Sequence, residues 1–328
     1  MPLIDYETAK RIAVLLRPVL DEYSKRPERF DSPDYYPPRS DPREMVARYF
    51  IVLVAMDHRL SRPGKPYEAR LDGKTYHGAD LLYRLGMAKY REDPEFFAPS
   101  RLAKITTRDI LGWLCVDRVC PPDPERRAAL LRDLGLKLEE IYAGSVTELL
   151  REARSRLHGP PEEPGLVELL QTFMAYNDPV EKKAMLLAKF LERRGIFTIT
   201  DPWNKRVPVD NHLARIALRT GIVRLEDNLM KLVTSRRHVD RWLDTLLRIT
   251  IREAWHVVAF NTGYDDFLLD DILWDMGRRV CVHGSPFCHN CSARYCRGSA
   301  CILREACLTG LGKLAPIEEH FFLDTWWY

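Results

Sequence analysis

The chain has no uncharged apolar run near the ~18 residues that a membrane-spanning helix needs, so no membrane segment is expected. Its first residues, MPLIDYETAKRIAVLL, scatter acids and bases among apolar positions. A secretory leader with an apolar centre is therefore not expected either, and the chain reads as soluble and intracellular, cytoplasmic and nucleoid-associated in a prokaryote. Strand-like alternation of apolar and polar residues is almost missing, which argues against a β-sandwich or barrel. No fixed-period repeat or low-complexity run occurs, which argues against a solenoid or a disordered spacer. Net charge is small as well: 50 Lys and Arg against 47 Asp and Glu leave +3. The global field therefore selects no partner, and local clustering must do so.

What is present is a core-forming chain of 328 residues, 46% hydrophobic, long enough for two or three lobes. Helical spacing dominates and predicts an all-α fold. Helices are expected over 5–22 (interrupted by Pro18), 43–60, 103–119, 125–157, 165–177, 179–194, 211–220, 226–258 and 265–279. One short extended pair is expected around 196–209. Five prolines in 27–42 hold that connector extended. A second connector, 61–78, has the glycine and proline signals of a short hairpin, and PPDP (121–124) and GPPEEPG (159–165) mark further breaks.

Basic residues concentrate late in the chain. Residues 211–255 carry nine Lys/Arg against five Asp/Glu, and 276–314 carry six against one, with Arg278, Arg279, Arg294, Arg297 and Arg304 among them. For 211–255 alone a solvated helix surface explains the excess equally well. Beside the cysteines of 281–307 a phosphate-facing surface is the better reading.

Six of the eight cysteines lie in Cys281-x6-Cys288-x2-Cys291-x4-Cys296-x4-Cys301-x5-Cys307, and Cys115 and Cys120 stand apart. Clustering of this kind in a large chain points to a metal rather than a disulfide framework. Only Cys288 and Cys291 form the short knuckle that a structural zinc site uses twice. The opening Cys-x6-Cys-x2-Cys, with Pro286 two residues before the second cysteine, resembles the iron–sulfur loop of the endonuclease III and MutY DNA glycosylases. That resemblance implies a [4Fe–4S] cluster on four thiolates. Where that family has its fourth ligand this chain has Arg297, so Cys307, Cys296 and Cys301 all remain open. The preferred set is Cys281, Cys288, Cys291 and Cys307, which leaves Cys115/Cys120 and Cys296/Cys301 able to form disulfides, natural inside a hyperthermophile.

Two further segments carry catalytic residue types. In Asp178-Pro-Val-Glu-Lys-Lys, Asp178 is expected to cap a helix, with Pro179 at its first position and Glu181 completing a capping box. Lys182 then sits in the first turn, where the positive helix end favours a neutral, nucleophilic amine; Lys183 is the alternative, and a pair of surface lysines is the ordinary explanation. In VPVDNHLAR, Asp210 precedes a helix, where an ordinary cap would also stand. The Val-Asp-x-x-x-x-Arg setting is similar to that of the essential aspartate in the helix-hairpin-helix glycosylase superfamily.

More closely, DPVEKKAMLLAK (178–189), VPVDNHLARIALRTGIV (207–223), LLDDILW (268–274) and MDHRLSRPGK (56–65) resemble the archaeal 8-oxoguanine DNA glycosylase/lyases. The resemblance implies Lys182 as Schiff-base lysine, Asp210 as catalytic aspartate, and Asp270 and Trp274 as base-pocket residues. Arg59 stands where that family has a glutamine for base recognition. It also implies a base-flipping DNA glycosylase with β-elimination lyase activity, acting on damaged double-stranded DNA as a monomer. The family lacks the cysteine loop, and the superfamily's Leu-Pro-Gly-Val-Gly hairpin is not visible in 193–206, where Gly195 alone marks a turn. The expected layout is a two-lobed core (1–280, with 61–158 a candidate for a separate lobe), a cluster loop (281–310) and an acidic aromatic tail (311–328) that packs back on the body. Competing readings are an N-glycosidase on a modified nucleoside, using Asp210 without the lysine, and a non-catalytic iron–sulfur nucleic-acid binder.

Overall fold

The computed structural model describes residues 1–62, 64–296, 298–323 and 325–328. Pro63, Arg297 and Asp324, which fall in the second connector, the basic flank and the tail, lie outside the described residues. Helix accounts for 52% of the chain and the sheets are two small pairs, so the fold is mostly helical as expected.

In chain order the elements are β1 (Pro2–Ile4), α1 (Tyr6–Tyr23), α2 (Arg43–Met56), β2 (Glu68–Leu71), β3 (Lys74–His77), α3 (Ala79–Glu92), α4 (Pro99–Leu102), α5 (Thr107–Leu114) and α6 (Pro124–Tyr142). They continue with α7 (Val146–Glu152), α8 (Leu166–Leu170), α9 (Lys182–Arg193), α10 (Asn211–Thr220), β4 (Val223–Leu225), α11 (Asp227–Thr234), α12 (Arg241–Thr262) and α13 (Asp266–Arg279). Several expectations are corrected. The helix expected over 125–157 is broken by Ala143 and Gly144, both at positive φ, and 226–258 divides into α11 and α12. Helix α3 carries no counterpart in the sequence reading. No strand lies in 196–209; instead β1 pairs antiparallel with β4, Leu3 opposite Arg224. The hairpin β2–β3 forms in the second connector, turning through Asp72 and Gly73 at φ 51° and 77°, as a tight primed turn requires.

The chain divides into two compact units. The first is Met1–Pro27 with Lys205–Thr325, and the second is Glu28–Asn204 with Trp326–Tyr328. The segment 61–158 lies inside the second unit, and the cysteine loop is part of the first.

In the first unit α12 packs against α1, α10 and α13, burying Leu16, Leu213, Ile251, Trp255 and Met276. Each of α10, α12 and α13 starts at an aspartate whose carboxylate accepts a backbone N–H: Asp210 from Leu213, Asp240 from Leu243 and Asp265 from Leu268. Gly221 ends α10 at φ +81°, and a Cβ there would lie 2.4 Å from Leu308 Cδ1, so the close approach of 308 to the helix end requires glycine.

In the second unit α2 is buried on nearly every face from Val46 to Met56, the pattern of a central helix. It packs against α3, α6, α7 and α9. Phe50 stacks on Phe190 at 5.0 Å, and Glu44 accepts the Val146 and Thr147 N–H groups that open α7. The Glu28–Arg193 ion pair (3.3 Å) and the Arg194 bonds to Phe30 O and Pro37 O bring the start of this unit to the end of α9. A disulfide between Cys115 and Cys120 closes the α5–α6 connection; it is one of the two pairs that the cysteine spacing left able to form one.

Candidate functional site

The two lysines sit where α9 begins, but that beginning differs from the expectation. Pro179–Glu181 form a turn with Glu181 at φ +60°, and the helix starts at Lys182. The Asp178 carboxylate reaches forward instead and accepts the N–H of Lys182 (2.7 Å) and of Lys183 (3.2 Å). Glu181 forms no capping box; it faces His158 at 3.5 Å. His158 also meets Glu168 at 2.7 Å, and the Glu181 hydrogen bond, with Glu168, raises its imidazole to about 9.

Both lysine side chains run to the C-terminal end of α2. Lys182 Nζ donates to Asp57 O (2.8 Å), and Lys183 Nζ donates to Ala55 O (2.6 Å) and lies 3.2 Å from His58 Nδ1. A third cation, Arg127 of α6, donates to Met56 O, His58 O, Arg59 O and Pro122 O at 2.7–3.0 Å. Helix carbonyls left without intrahelical partners carry partial negative charge and draw cations. Here three cations satisfy the end of one helix, far from solvent: Lys183 and Arg127 are 0% exposed and Lys182 5%.

That dryness sets the electrostatics. Burial, then the charge of Lys182, pushes the Lys183 ammonium well below the usual lysine range. Burial, then Arg127 and the lysines, pushes His58 down, so its imidazole is neutral. Burial lifts Asp178 to about 6 against the pull of its two N–H partners. His58 Nε2 has no hydrogen-bond partner among the described residues. Arg59 belongs to the same helix end: its N–H donates to Tyr328 O at 2.8 Å. Trp327 Nε1 donates to Asn177 Oδ1 at 3.0 Å, so the end of the tail packs on this unit as expected. Lysines 182 and 183 and Arg59 thus converge on one buried helix terminus, to which His58, Arg127 and Asp178 contribute equally.

Asp210, Asp270 and Trp274 lie in the first unit. Asp210 is half-buried as the N-cap of α10, accepting from Leu213 N at 2.9 Å. Asp270 is buried on α13, and Trp274, one turn on, is half-buried with the Arg278 guanidinium 4.4 Å from its ring centroid. Helices α10 and α13 pack together, closely at Gly277, where a Cβ would lie 2.5 Å from His212 Cβ.

Farther along α10, Arg215 and Arg219 hold the cysteine loop. Arg215 donates to Gly277 O (2.9 Å), Cys281 O (2.8 Å) and Glu319 Oε2 (3.0 Å). Arg219 donates to Val282 O (2.7 Å), Glu318 Oε1 (3.1 Å) and Cys281 Sγ (3.5 Å). Glu318 and Glu319 of the tail therefore pair with α10, and Val239 N–H donates to Phe321 O farther on.

Within the loop the Cys291 and Cys296 sulfurs lie in contact. Cys281, Cys288, Cys301 and Cys307 are free thiols, three of the four expected ligands among them. Burial raises all four, Cys301 and Cys307 to about 12, and each of the later ones also feels the charge of the earlier ones. Thiols that sense one another and accept N–H groups, as Cys307 does from Gly310 at 3.4 Å, suit a soft metal. Tetrahedral zinc at 2.3 Å per bond would draw its sulfurs to ~3.8 Å apart. Among the described residues the only triad within 4.8 Å is His283, Glu318 and Glu319, and no three of the free thiols approach that closely.

Arg127 and Arg219 carry no local sequence signal, because most of the carbonyl groups that fix them are distant in sequence, whereas Arg215 is the arginine of the Val-Asp-x-x-x-x-Arg setting and His58 falls within 56–65. Among the described residues no helix is long and apolar enough to cross a membrane. No protein-family model matches the chain, and no curated protein matches it.

Proposed function

We propose that the protein is a DNA glycosylase with β-elimination lyase activity on a damaged base. The observation that supports this most is the pair of buried amines at the start of α9, where burial and then the charge of Lys182 push Lys183 toward its neutral form. A neutral primary amine in a dry site is a nucleophile for the sugar C1′. Lys182 is the better attacking group, since Lys183 is sealed from solvent and Lys182 retains some exposure. In this reading the Lys182 nitrogen bonds to C1′ as the base leaves with the glycosidic electron pair, and the proton the nitrogen gives up passes by way of Asp210 to the departing base. The Asp210 carboxylate offsets the positive charge growing on the sugar. Ring opening gives the imine, loss of a C2′ proton expels the 3′ phosphate, and water releases the lysine. Asp270 and Trp274 offer one hydrogen-bonding and one stacking group for an extruded base, and Arg59 would alter the base preference. The basic residues of 211–255 and 276–314 suit phosphates.

With this goes a [4Fe–4S] cluster on the cysteine loop, held by Cys281, Cys288 and Cys307 with Cys291 as the fourth ligand or Cys301 in its stead. Such a cluster would cross-link the loop and lend it rigidity rather than take part in base release.

The test is borohydride trapping across duplexes that each carry one damaged base. A covalent adduct that survives Lys183→Ala and disappears in Lys182→Ala supports the reading; release of no base from any duplex refutes it. One observation favours a second reading: both amines are engaged by carbonyls of α2. If the lysines only seat that helix, base release depends on Asp210 alone and no adduct forms, as in an N-glycosidase.

A further inference from the structure

We infer that Arg248, Asp244 and His320 form a buried network whose task is to position Asp210. The inference rests on the reading of Asp210 as a reacting carboxylate. Arg248 lies on α12 and is 0% exposed. Its guanidinium spreads three contacts: Nη2 to Asn211 Oδ1 at 2.8 Å, Nη1 to Val209 O at 3.4 Å, and Nε to Asp244 Oδ1 at 2.8 Å. Val209 and Asn211 are the residues on either side of Asp210, so one rigid planar group grips the backbone before it and the side chain after it.

The guanidinium is itself fixed from behind. Asp244, one helical turn earlier on α12 and also 0% exposed, accepts from Arg248 and from His320 Nε2 (2.7 Å) at the same oxygen. His320 is fully buried, and burial holds its imidazole below the usual range, so it is a neutral donor through Nε2. Its Nδ1 and the second Asp244 oxygen have no hydrogen-bond partner among the described residues. Burying a charged pair and a histidine with two atoms unsatisfied is poor economy for stability alone. It is the expected arrangement where a carboxylate must point in one direction, because a supporting group held by packing and by a second hydrogen bond restricts the group it touches. From the other side Trp255 Nε1 donates to Leu213 O at 3.2 Å, holding the residue whose N–H the Asp210 carboxylate accepts. Asp210 is thus braced through both sequence neighbours and through its cap partner, while its own second oxygen is left to the site.

The network is a positioning device, so its removal should loosen Asp210 without unfolding the unit. Arg248→Lys keeps the charge but cannot span Asp244, Asn211 and Val209 together, and Asn211→Ala removes the main link without touching the buried ion pair. Amide exchange of Leu213 reports the Asp210 cap directly, and exchange of Leu268 under the Asp265 cap is the internal control. Both variants should raise Leu213 exchange about tenfold, equivalent to loss of ~1.4 kcal/mol of local protection, and leave Leu268 unchanged. The rate constant of base release should fall between tenfold and about 100-fold with KM little changed. Unchanged Leu213 exchange in Asn211→Ala, or faster exchange with undiminished base release, overturns the inference. Absence of base release by the unsubstituted protein would refute the proposed function instead, while the exchange comparison would still decide whether the network orients Asp210.

Discussion

Asp178→Asn tests the electrostatics of the lysine site. The carboxyl is wholly buried and is raised from 3.8 to about 6, chiefly by burial. The folded protein therefore binds this proton more tightly than the unfolded chain, and stability falls as pH rises through the interval from 3.8 to 6. At 1.36 kcal/mol per pH unit the loss is about 3 kcal/mol by neutral pH. Asparagine does not titrate. It retains one oxygen for the Lys182 N–H but presents an amide nitrogen to Lys183, losing a hydrogen bond of about 1 kcal/mol at every pH. The variant should then be about 0.5 kcal/mol less stable than the parent near pH 4, where part of the parent's loss on titration has already occurred, and about 2 kcal/mol more stable at pH 7.5. Urea titrations at the two pH values, read by hydrogen exchange of α9 amides, measure the difference locally. A stability difference that does not change between them would mean that the lysines and N–H groups, rather than burial, govern Asp178. If the variant is indeed the more stable protein at neutral pH, the charge is held there at a cost to stability, as expected where a site is built for chemistry.

Arg127→Met should leave four carbonyls without their donor, those of Met56 and His58 buried and those of Pro122 and Arg59 partly so; a loss of about 2–4 kcal/mol is expected, read as a lower thermal midpoint for the second unit. His158 has a folded value raised to about 9 by Glu181 and Glu168, so its contribution is complete below about 6.5 and fades as pH rises through 9. Because His158 is only half-buried, about 1–2 kcal/mol should disappear over that interval, and His158→Gln should abolish the dependence. Protein prepared without oxygen should contain iron and sulfide in equal amounts; Cys301→Ser should lose them and Cys291→Ser retain them, the reverse outcome restoring Cys291 as ligand.

Legibility in the sequence followed how local each cause is. Helices α10 and α13 were readable nearly to the residue because an aspartate cap, an apolar face and, for α10, Gly221 at its end all lie within one segment. The same logic misplaced the start of α9. Asp178 does anchor it, but across a turn in which Glu181 adopts a left-handed conformation that no capping rule anticipates. Strands β1 and β4 were not readable, since three residues each, more than 200 positions apart, leave no periodicity. Cys296 has the same spacing to Cys291 as to Cys301, so its partner could not be read from spacing. The lysines were found as residue types, yet the helix end that receives them, with His58 and Arg127, exists only in three dimensions.

The pairing of β1 with β4 also bears on biosynthesis. Within the first unit, residues 1–27 fold against a segment that begins only at Lys205. The intervening stretch can fold meanwhile, and as it does Glu28 is drawn to Arg193, shortening a loop of some 180 residues to about a dozen. About half of the length-dependent entropy of closing the first unit is thus removed before its second half is translated. A truncated chain that ends before residue 205, once released, should already protect α2 and α9 from protease while α1 is still cut.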